Sequence, residues 1–241
     1  MPPQVQTARH DATELLGELH PFMAQLGSAD GWVTLSAASA SLQVPRVDSR
    51  PALRTFLEAY RAKILLRIEL PAIGQARHHA ARRELRELVA LDQSLAGQRA
   101  LEPFAAASRR VGRSQLEKLR PLRDERVVQR YLQAVEDGRA HAWHTLVFGL
   151  TLALYSLPVR QGLLTYARQT LGGFIRAAAR PLGLTQAECL ELLDALGADL
   201  PKELEQIVAA TSCSRIEDQA VSMQSEPRMD TNAHEFPRDS V

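Results

Sequence analysis

The stretch Trp143–Arg176, WHTLVFGLTLALYSLPVRQGLLTYARQTLGGFIR, decides how this chain is read. It is the most apolar part of the sequence and the richest in small residues. It reads as two helices, about 140–156 and 158–180, meeting at Leu157-Pro158, because proline lacks the amide hydrogen that a helix interior needs. Gly149, Gly162, Gly172 and Gly173 leave room for backbones to approach closely. Two glycines in mid-helix cost roughly 2 kcal/mol relative to alanines, so Gly172-Gly173 points to tight packing or to contact with another chain. The stretch holds no catalytic triad, phosphate loop or complete metal site. It reads as the packed centre of an all-helical protein.

Working outward, the same helical texture continues on both sides. Towards the N-terminus, Ser49-Arg50-Pro51 opens a helix with serine as cap and proline in the first turn. Leu53, Phe56, Leu57, Tyr60, Ile64 and Ile68 then form one buried stripe. Pro71 is expected to end it, and Leu70-Pro71-Ala72-Ile73 to start the next segment. Ala80–Leu95 reads as a single amphipathic helix stopped by Gly97. Pro103 opens a helix to about Leu119, and Val127, Val128, Tyr131, Leu132 and Val135 mark another, closed by Asp137-Gly138. Residues 27–47 read as a loop with a helical piece at Leu35–Leu42. Asp11 caps a first helix carrying Leu15, Leu16, Leu19, Phe22, Met23 and Leu26, which Pro21 kinks or breaks.

Towards the C-terminus, Thr185 and Glu188 have the spacing of a capping box, and their helix closes at Gly197. A short helix follows over Pro201–Ala210. The expectation is therefore an all-α fold of about eight to ten helices in one bundle-like domain over residues 11–211. A flexible N-terminus, 1–10, and a polar mobile tail, 212–241, flank it. No period-two alternation, Asn-Gly hairpin turn or internal repeat is found.

Composition narrows the function classes. The chain has 241 residues, 45% of them hydrophobic, and a net charge of +1, so no overall field favours nucleic acid. Acids interleave with most basic runs, including Arg120–Arg130, which favours a solvated helix face over a nucleic-acid patch. Two cysteines, Cys189 and Cys213, do not make a disulfide framework. The N-terminus is not a secretory signal, and the longest apolar run, Leu146–Leu157, falls short of the ~20 residues a membrane span needs. A reduced, cytoplasmic setting is the expectation.

Candidate chemistry is sparse. His141 and His144, three apart on the expected helix, share a face and could hold a borderline metal. A full site needs further ligands, and nothing local ties His78-His79, Cys189 or Cys213 to the pair. A structural or interface role is therefore preferred for both histidines. Cys189 lies among leucines with no activating neighbour in sequence, which favours a buried structural thiol. Glu84 with Glu87, and Glu188 with Glu191, read as exposed helix faces. No Asp-rich diphosphate motif or GxxxxGK loop occurs.

Four segments in order resemble the UreF family of urease accessory proteins, over roughly residues 12–200. Glu69-Leu70-Pro71-Ala72-Ile73 resembles its Asp-Leu-Pro-x-Leu segment. Ser108-Arg109-Arg110-Val111-Gly112-Arg113-Ser114-Gln115-Leu116 is similar to its Ser-x-x-x-Gly-x-x-Leu-Leu helix. His144-Thr145-Leu146-Val147-Phe148-Gly149 resembles its His-x-x-Val-x-Phe-Gly signature. Leu163–Gln186, with Tyr166 and Pro181-Leu182-Gly183, looks like its long helix and following turn.

The departures mark a divergent member. Residues 27–36 lack the family's His-Ser-x-Gly-Leu-Glu, Ala107 stands for Glu, and Thr185 stands for Gly. The C-terminal ending is reduced to His234-Glu235 and Arg238.

The resemblance implies a non-enzymatic, all-helical chaperone for nickel insertion, with no cofactor of its own. Its implied partners are apo-urease, a nickel-carrying accessory GTPase and a second scaffold accessory protein, with the chain working as a homodimer. It makes Glu69, Leu70, Pro71, Ser108, Gly112, His144, Phe148, Gly149 and Gln186 candidate partner contacts. Two other readings stand beside it. One is a helical-bundle enzyme or ligand-binding protein with its site near His141, His144 and Glu188. The other is a regulator binding nucleic acid through Arg120–Arg130.

Overall fold

A computed structural model of the chain describes residues 29–209. Segment 1–10, the helix expected from Asp11, and the stretch 212–241 with Cys213 and His234 lie outside the described residues. The fold is all-α and bundle-like, with no strand among the described residues.

Helix α1 is Ala29–Leu42 and α2 is Arg50–Tyr60. A π-helical stretch, Arg61–Glu69, joins α2 without a break to α3, Leu70–Ala81. Next come α4, Leu85–Ala96, a 3₁₀ turn at Arg99–Leu101, and α5, Glu102–Lys118. Then follow α6, Arg126–Glu136, α7, His144–Leu154, α8, Val159–Leu182, and α9, Gln186–Gly197. Residues 200–209 form α10.

Several helix ends follow directly from local sequence. Ser49 Oγ accepts from the amide of Ala52, with proline in the first turn. Thr185 and Glu188 form the full capping box of α9. Gly183 ends α8 in the left-handed region at φ 65°, and the amide of Leu184 then reaches back to the carbonyl of Ala179. Glycine takes that backbone conformation without the steric cost a side chain brings.

Three expectations are corrected. First, Pro71 does not end the helix. An α register would set the proline ring against the carbonyl of Arg67 and leave that carbonyl without a donor. The π register before it shifts the pairing to five residues, with the amide of Leu70 on the carbonyl of Leu65, and the helix continues through the proline. Second, residues 80–95 are not one helix. The chain turns at Arg82–Glu84, where Arg83 takes φ 61°. Glu84 there accepts from His79 Nδ1 and pairs with Arg82. Third, α1 begins at Ala29, so the segment expected to be mostly loop is helical well before Leu35.

One continuous core runs from Leu35 in α1 to Leu204 in α10. Its aromatic centre joins α2, α5 and α8. Phe174 packs edge-on to Tyr60 at 4.8 Å, Phe56 at 5.5 Å and Phe104 at 5.7 Å. Such edge-to-face pairs add ~0.5–1.5 kcal/mol each beyond the area they bury. The most extensive helix pairing is α3 against α7.

Candidate functional site

The expected site residues converge on the junction of α3, α5, α7 and α8, though most do so inside the core. The reason lies in what each motif does to its neighbours.

Ser108 and Gly112 sit one turn apart on α5. The amide of His144, the first residue of α7, donates to Ser108 Oγ at 3.2 Å. A helix start leaves amides without partners, and Ser108 takes this one from across the junction. Gly112 lets the backbone of Ala142–His144 lie directly on α5. A β-carbon at Gly112 would stand 2.7 Å from the amide nitrogen of His144 and 2.9 Å from the carbonyl carbon of Trp143. The guanidinium of Arg109 covers the Trp143 ring at 4.7 Å, a cation–π contact that closes the same seam.

Gly149, one and a half turns into α7, does the same against α3. A β-carbon there would meet the carbonyl oxygen of Ile73 at 2.6 Å and Ala76 Cβ at 2.8 Å. The Glu69–Ile73 and His144–Gly149 segments are therefore packed on each other.

The segment leading into α7 was expected to be helical from about residue 140. It is not, and Asp92 is the physical reason. This carboxylate is fully buried on α4 and accepts from the amides of His141 at 2.7 Å and Ala142 at 3.0 Å, and from the Tyr131 hydroxyl at 2.6 Å. With its amide held there, Ala142 stands at φ 57°, outside the right-handed helical region, and the helix starts only at His144. A β-carbon residue in that region is a strained one held by its surroundings. His141 consequently precedes the helix and does not share a helix face with His144.

His144 itself is only 2% exposed and stacks on Tyr166 of α8 at 5.7 Å, with Phe148 at 6.1 Å. Burial holds its pKa down at about 3, so the imidazole is neutral. No substrate can reach it in this packing. Among the described residues, no group of three or more His, Cys, Asp or Glu side chains could hold a metal ion.

Glu69 ends the π-helical stretch in the same cluster. Tyr60 donates to Glu69 Oε2 at 2.6 Å, and the Tyr166 hydroxyl also interacts with this carboxylate. Burial is the larger effect, outweighs both tyrosines, and raises the Glu69 pKa to about 7. The buried hydroxyls of Tyr60 and Tyr166 are pushed far above their ordinary range, by desolvation first and the nearby carboxylate second.

The sign of the pH dependence follows. Native Glu69 holds its proton up to about pH 7, while the unfolded chain loses it near pH 4.5. Between those values the folded state binds more protons, so stability falls as pH rises. At ~1.4 kcal/mol per unit, about 3 kcal/mol should be lost across that window. Glu69→Gln, which cannot ionise, should flatten this slope in urea unfolding between pH 5 and 8. An unchanged slope would show that another group carries it.

Each of the four motifs is thus part of another's environment. Glu69 faces Tyr166, Tyr166 stacks on His144, the His144 amide binds Ser108, and Gly149 seats on Ile73. The UreF family model matches residues 47–197, which span this whole junction. The chain belongs to the UreF family. No match is found among curated proteins. UreF proteins are urease accessory proteins.

In this UreF protein, most of the motif residues lie beneath the surface. Glu69, Leu70, Ser108, Gly112, His144, Phe148 and Gly149 are all buried. Pro71 is half-buried, and Gln186 is exposed. Four of the seven are themselves apolar packing residues or glycines under a backbone, and Glu69, Ser108 and the His144 amide are held by core partners.

Gln186 borders the feature that sequence reading missed, a groove of about 550 Å³ between α8 and α9. Gly172, Ile175 and Leu193 line it, with Arg168 and Arg176 beside them. Leu190 lies in it with 54% of its surface exposed. Cys189 also lines the groove and is partly accessible, which corrects its reading as a buried thiol. Burial still raises its pKa, with Glu188 adding to the effect. The one signal that pointed here was Gly172, whose lack of a side chain was read as a mark of close contact.

The remaining candidates are occupied. Glu188 caps α9 through Thr185 and pairs with Arg50 at 3.1 Å. Glu191 pairs with the same arginine at 2.7 Å. Arg120 is held by Glu117 and Glu136. No helix among the described residues is long and apolar enough to cross a membrane.

Proposed function

We propose that this UreF protein acts in the cytoplasm as a scaffold for nickel insertion into urease. It holds a nickel-carrying accessory GTPase and a second scaffold accessory protein on apo-urease, and it does so as a homodimer. Nickel is the cargo of the complex and not a resident cofactor of this chain.

The observation that carries the reading is the closure of the motif junction. The residues that identify the family face one another and not solvent, so their contribution is to fix the helices that present the outer surface. Of the nine candidate contacts, Gln186 is exposed and Pro71 half-buried, which favours these two for direct contact with a partner. The other seven shape what a partner meets. The α8–α9 groove beside Gln186 is the apolar surface best suited to docking, since a leucine as exposed as Leu190 next to an apolar floor is typical of an interaction site.

Co-expression of the chain with the accessory GTPase and the second scaffold protein tests this. A stable complex and loss of urease activation on deletion are expected. No complex, together with unchanged activation, rules the scaffold out. Leu190→Glu should lower recovery of the complex about tenfold, a loss of ~1.4 kcal/mol. Its effect on unfolding should stay within ~0.5 kcal/mol, because the side chain is largely in water. Full recovery of the complex would remove the groove from the contact surface.

A further inference from the structure

We infer that an arginine-lined pocket between α4 and α6 is a second docking site of this chain, and that it takes an acidic segment of a protein partner. The inference rests on the scaffold reading for its biological sense, and it is tested on the isolated chain. The pocket measures about 480 Å³. Arg83 lines it from the turn before α4, Arg86 from the first turn of α4, Arg130 from α6 and Arg139 from the turn after α6. Leu85 and Val89, one turn apart on α4 and half-buried, supply its apolar part. None of these residues lines the α8–α9 groove, so the chain presents two chemically distinct surfaces.

Three observations carry it. The first is charge. Two carboxylates, Glu84 and Glu87, also line the pocket. Glu84 is already held by His79 and Arg82. Arg83, Arg86 and Arg130 make no ion pair among the described residues, and Arg139 is held only by exposed Asp137 at 2.8 Å. Glu87 is thus the carboxylate of the lining left to face four guanidinium groups. Arginine matches a carboxylate with two parallel hydrogen bonds, so acidic side chains entering the pocket would find donors and relieve the repulsion among them.

The second is the backbone at Arg83. It takes φ 61° where α3 ends, with its own amide on the carbonyl of Ala80 at 3.1 Å and the amide of Glu84 on the carbonyl of His79 at 2.9 Å. Glycine is the usual residue at that position of a helix end, because a side chain is disfavoured in the left-handed region. The turn carries that strain with an arginine that lines the pocket. The third is the frame. Gln93 of α4 donates to the carbonyl of Arg139 at 3.0 Å, and the Arg139 amide donates to the carbonyl of Ala134 in α6 at 2.8 Å. The arginines are therefore carried on two packed helices and their tied ends, which lowers the ordering cost when a partner binds.

The lining also selects the kind of occupant. A nucleic-acid backbone is held by a continuous basic track. Here Glu84 and Glu87 interrupt the arginines, and Arg120 is already held by Glu117 and Glu136. A polypeptide with a few carboxylates needs only separate guanidinium forks, and its apolar side chains can rest on Leu85 and Val89 between them. Charge complementarity of this kind sets partner choice and association rate, which suits a chain that must gather several proteins.

The probe is a fluorescein-labelled peptide in which leucines are flanked by glutamates, read by fluorescence anisotropy with the full-length chain. It should bind at low ionic strength, weaken as salt screens the charges, and lose binding when glutamines replace its glutamates. Arg86→Glu combined with Arg130→Glu should weaken binding about tenfold. Both side chains are exposed, so circular dichroism and the thermal midpoint should stay as in the parent. Glu87→Gln should tighten binding about twofold, since it removes the competing carboxylate. Arg83→Gly should weaken binding without lowering the thermal midpoint, because glycine suits φ 61°. A purely structural arginine there would leave binding unchanged. The inference is overturned if the parent does not bind the probe, or if the Arg86 and Arg130 double variant binds it as well as the parent. Tighter binding of a labelled single-stranded DNA, lost in the same double variant, also overturns it, because it places a nucleic acid in the pocket. Each of these failures leaves the scaffold reading standing, since that is decided by complex formation with the accessory proteins.

Discussion

Replacing Gly112 by alanine should destabilise the protein by about 3 kcal/mol, the reverse of what a helix interior ordinarily does. In an exposed helix that change gains up to ~1 kcal/mol through propensity alone. Here the new methyl would run into the carbonyl oxygen of Ala142, with the His144 nitrogen 2.7 Å away. These are backbone atoms and cannot rotate aside, so α5 and residues 142–144 must move apart. Separation would also stretch the bond from the His144 amide to Ser108 and lift Arg109 from the Trp143 ring. The thermal midpoint should fall by roughly 10 °C. Gly97→Ala is the control, because its β-carbon would meet only the Ser94 carbonyl oxygen at an ordinary 3.5 Å. If Gly112→Ala proves as stable as the parent, the close approach of α5 to the start of α7 is not what holds this junction.

Asp92→Ala should cost about 4 kcal/mol, since each buried donor left without an acceptor costs ~1–3 kcal/mol and three lose theirs at once. These are the Tyr131 hydroxyl and the amides of His141 and Ala142. Tyr131→Phe removes one donor and leaves the carboxylate its two amides, so a loss of ~1 kcal/mol is expected. With both changes the loss should be smaller than the sum, because the orphaned hydroxyl is gone. Urea unfolding of the four proteins closes this cycle. Strict additivity would show that the tyrosine and the carboxylate do not act as one network. The functional consequence is local. Without Asp92 nothing in α4 holds Ala142 at φ 57°, and the start of α7, with His144 and Phe148, loses its fixed position under Tyr166. Recovery of the accessory complex should fall along with stability.

The sequence was legible wherever a local rule had no competitor. Ser49, and Thr185 with Glu188, each mark a helix start, because a cap is decided within four residues of chain. The apolar stripe of α2 was equally plain, because spacing alone sets which face is buried. Legibility failed where a distant group overrode a local preference. Pro71 reads as a stop, and the π register through Arg61–Glu69 carries the helix past it. Residues 140–143 read as helix, and Asp92, some fifty positions earlier, captures their amides. Glu69 carries no sequence sign of burial, and Tyr60 and Tyr166 receive it in the core.

Of the candidate site, the sequence named the motif residues and did not show which of them are buried. A motif records which positions are constrained, and it is silent on whether packing or a partner constrains them. The glycines show the difference best. Gly112 and Gly149 are needed because another helix lies against them, and only their separation in space reveals which helix that is.

By itself, then, the sequence determined an all-α chain of the UreF family, the ends of most helices, and the identity of the motif residues, because periodicity, capping and motif order are one-dimensional signals. Only the tertiary structure decided that those residues close on one another and that an open apolar groove lies between α8 and α9. Burial is a property of what packs against a residue from elsewhere in the chain. In the opening stretch Trp143–Arg176, His144 and Gly173 are buried while Arg176 stands at the edge of the groove. That division follows from where α5, α3 and α9 lie.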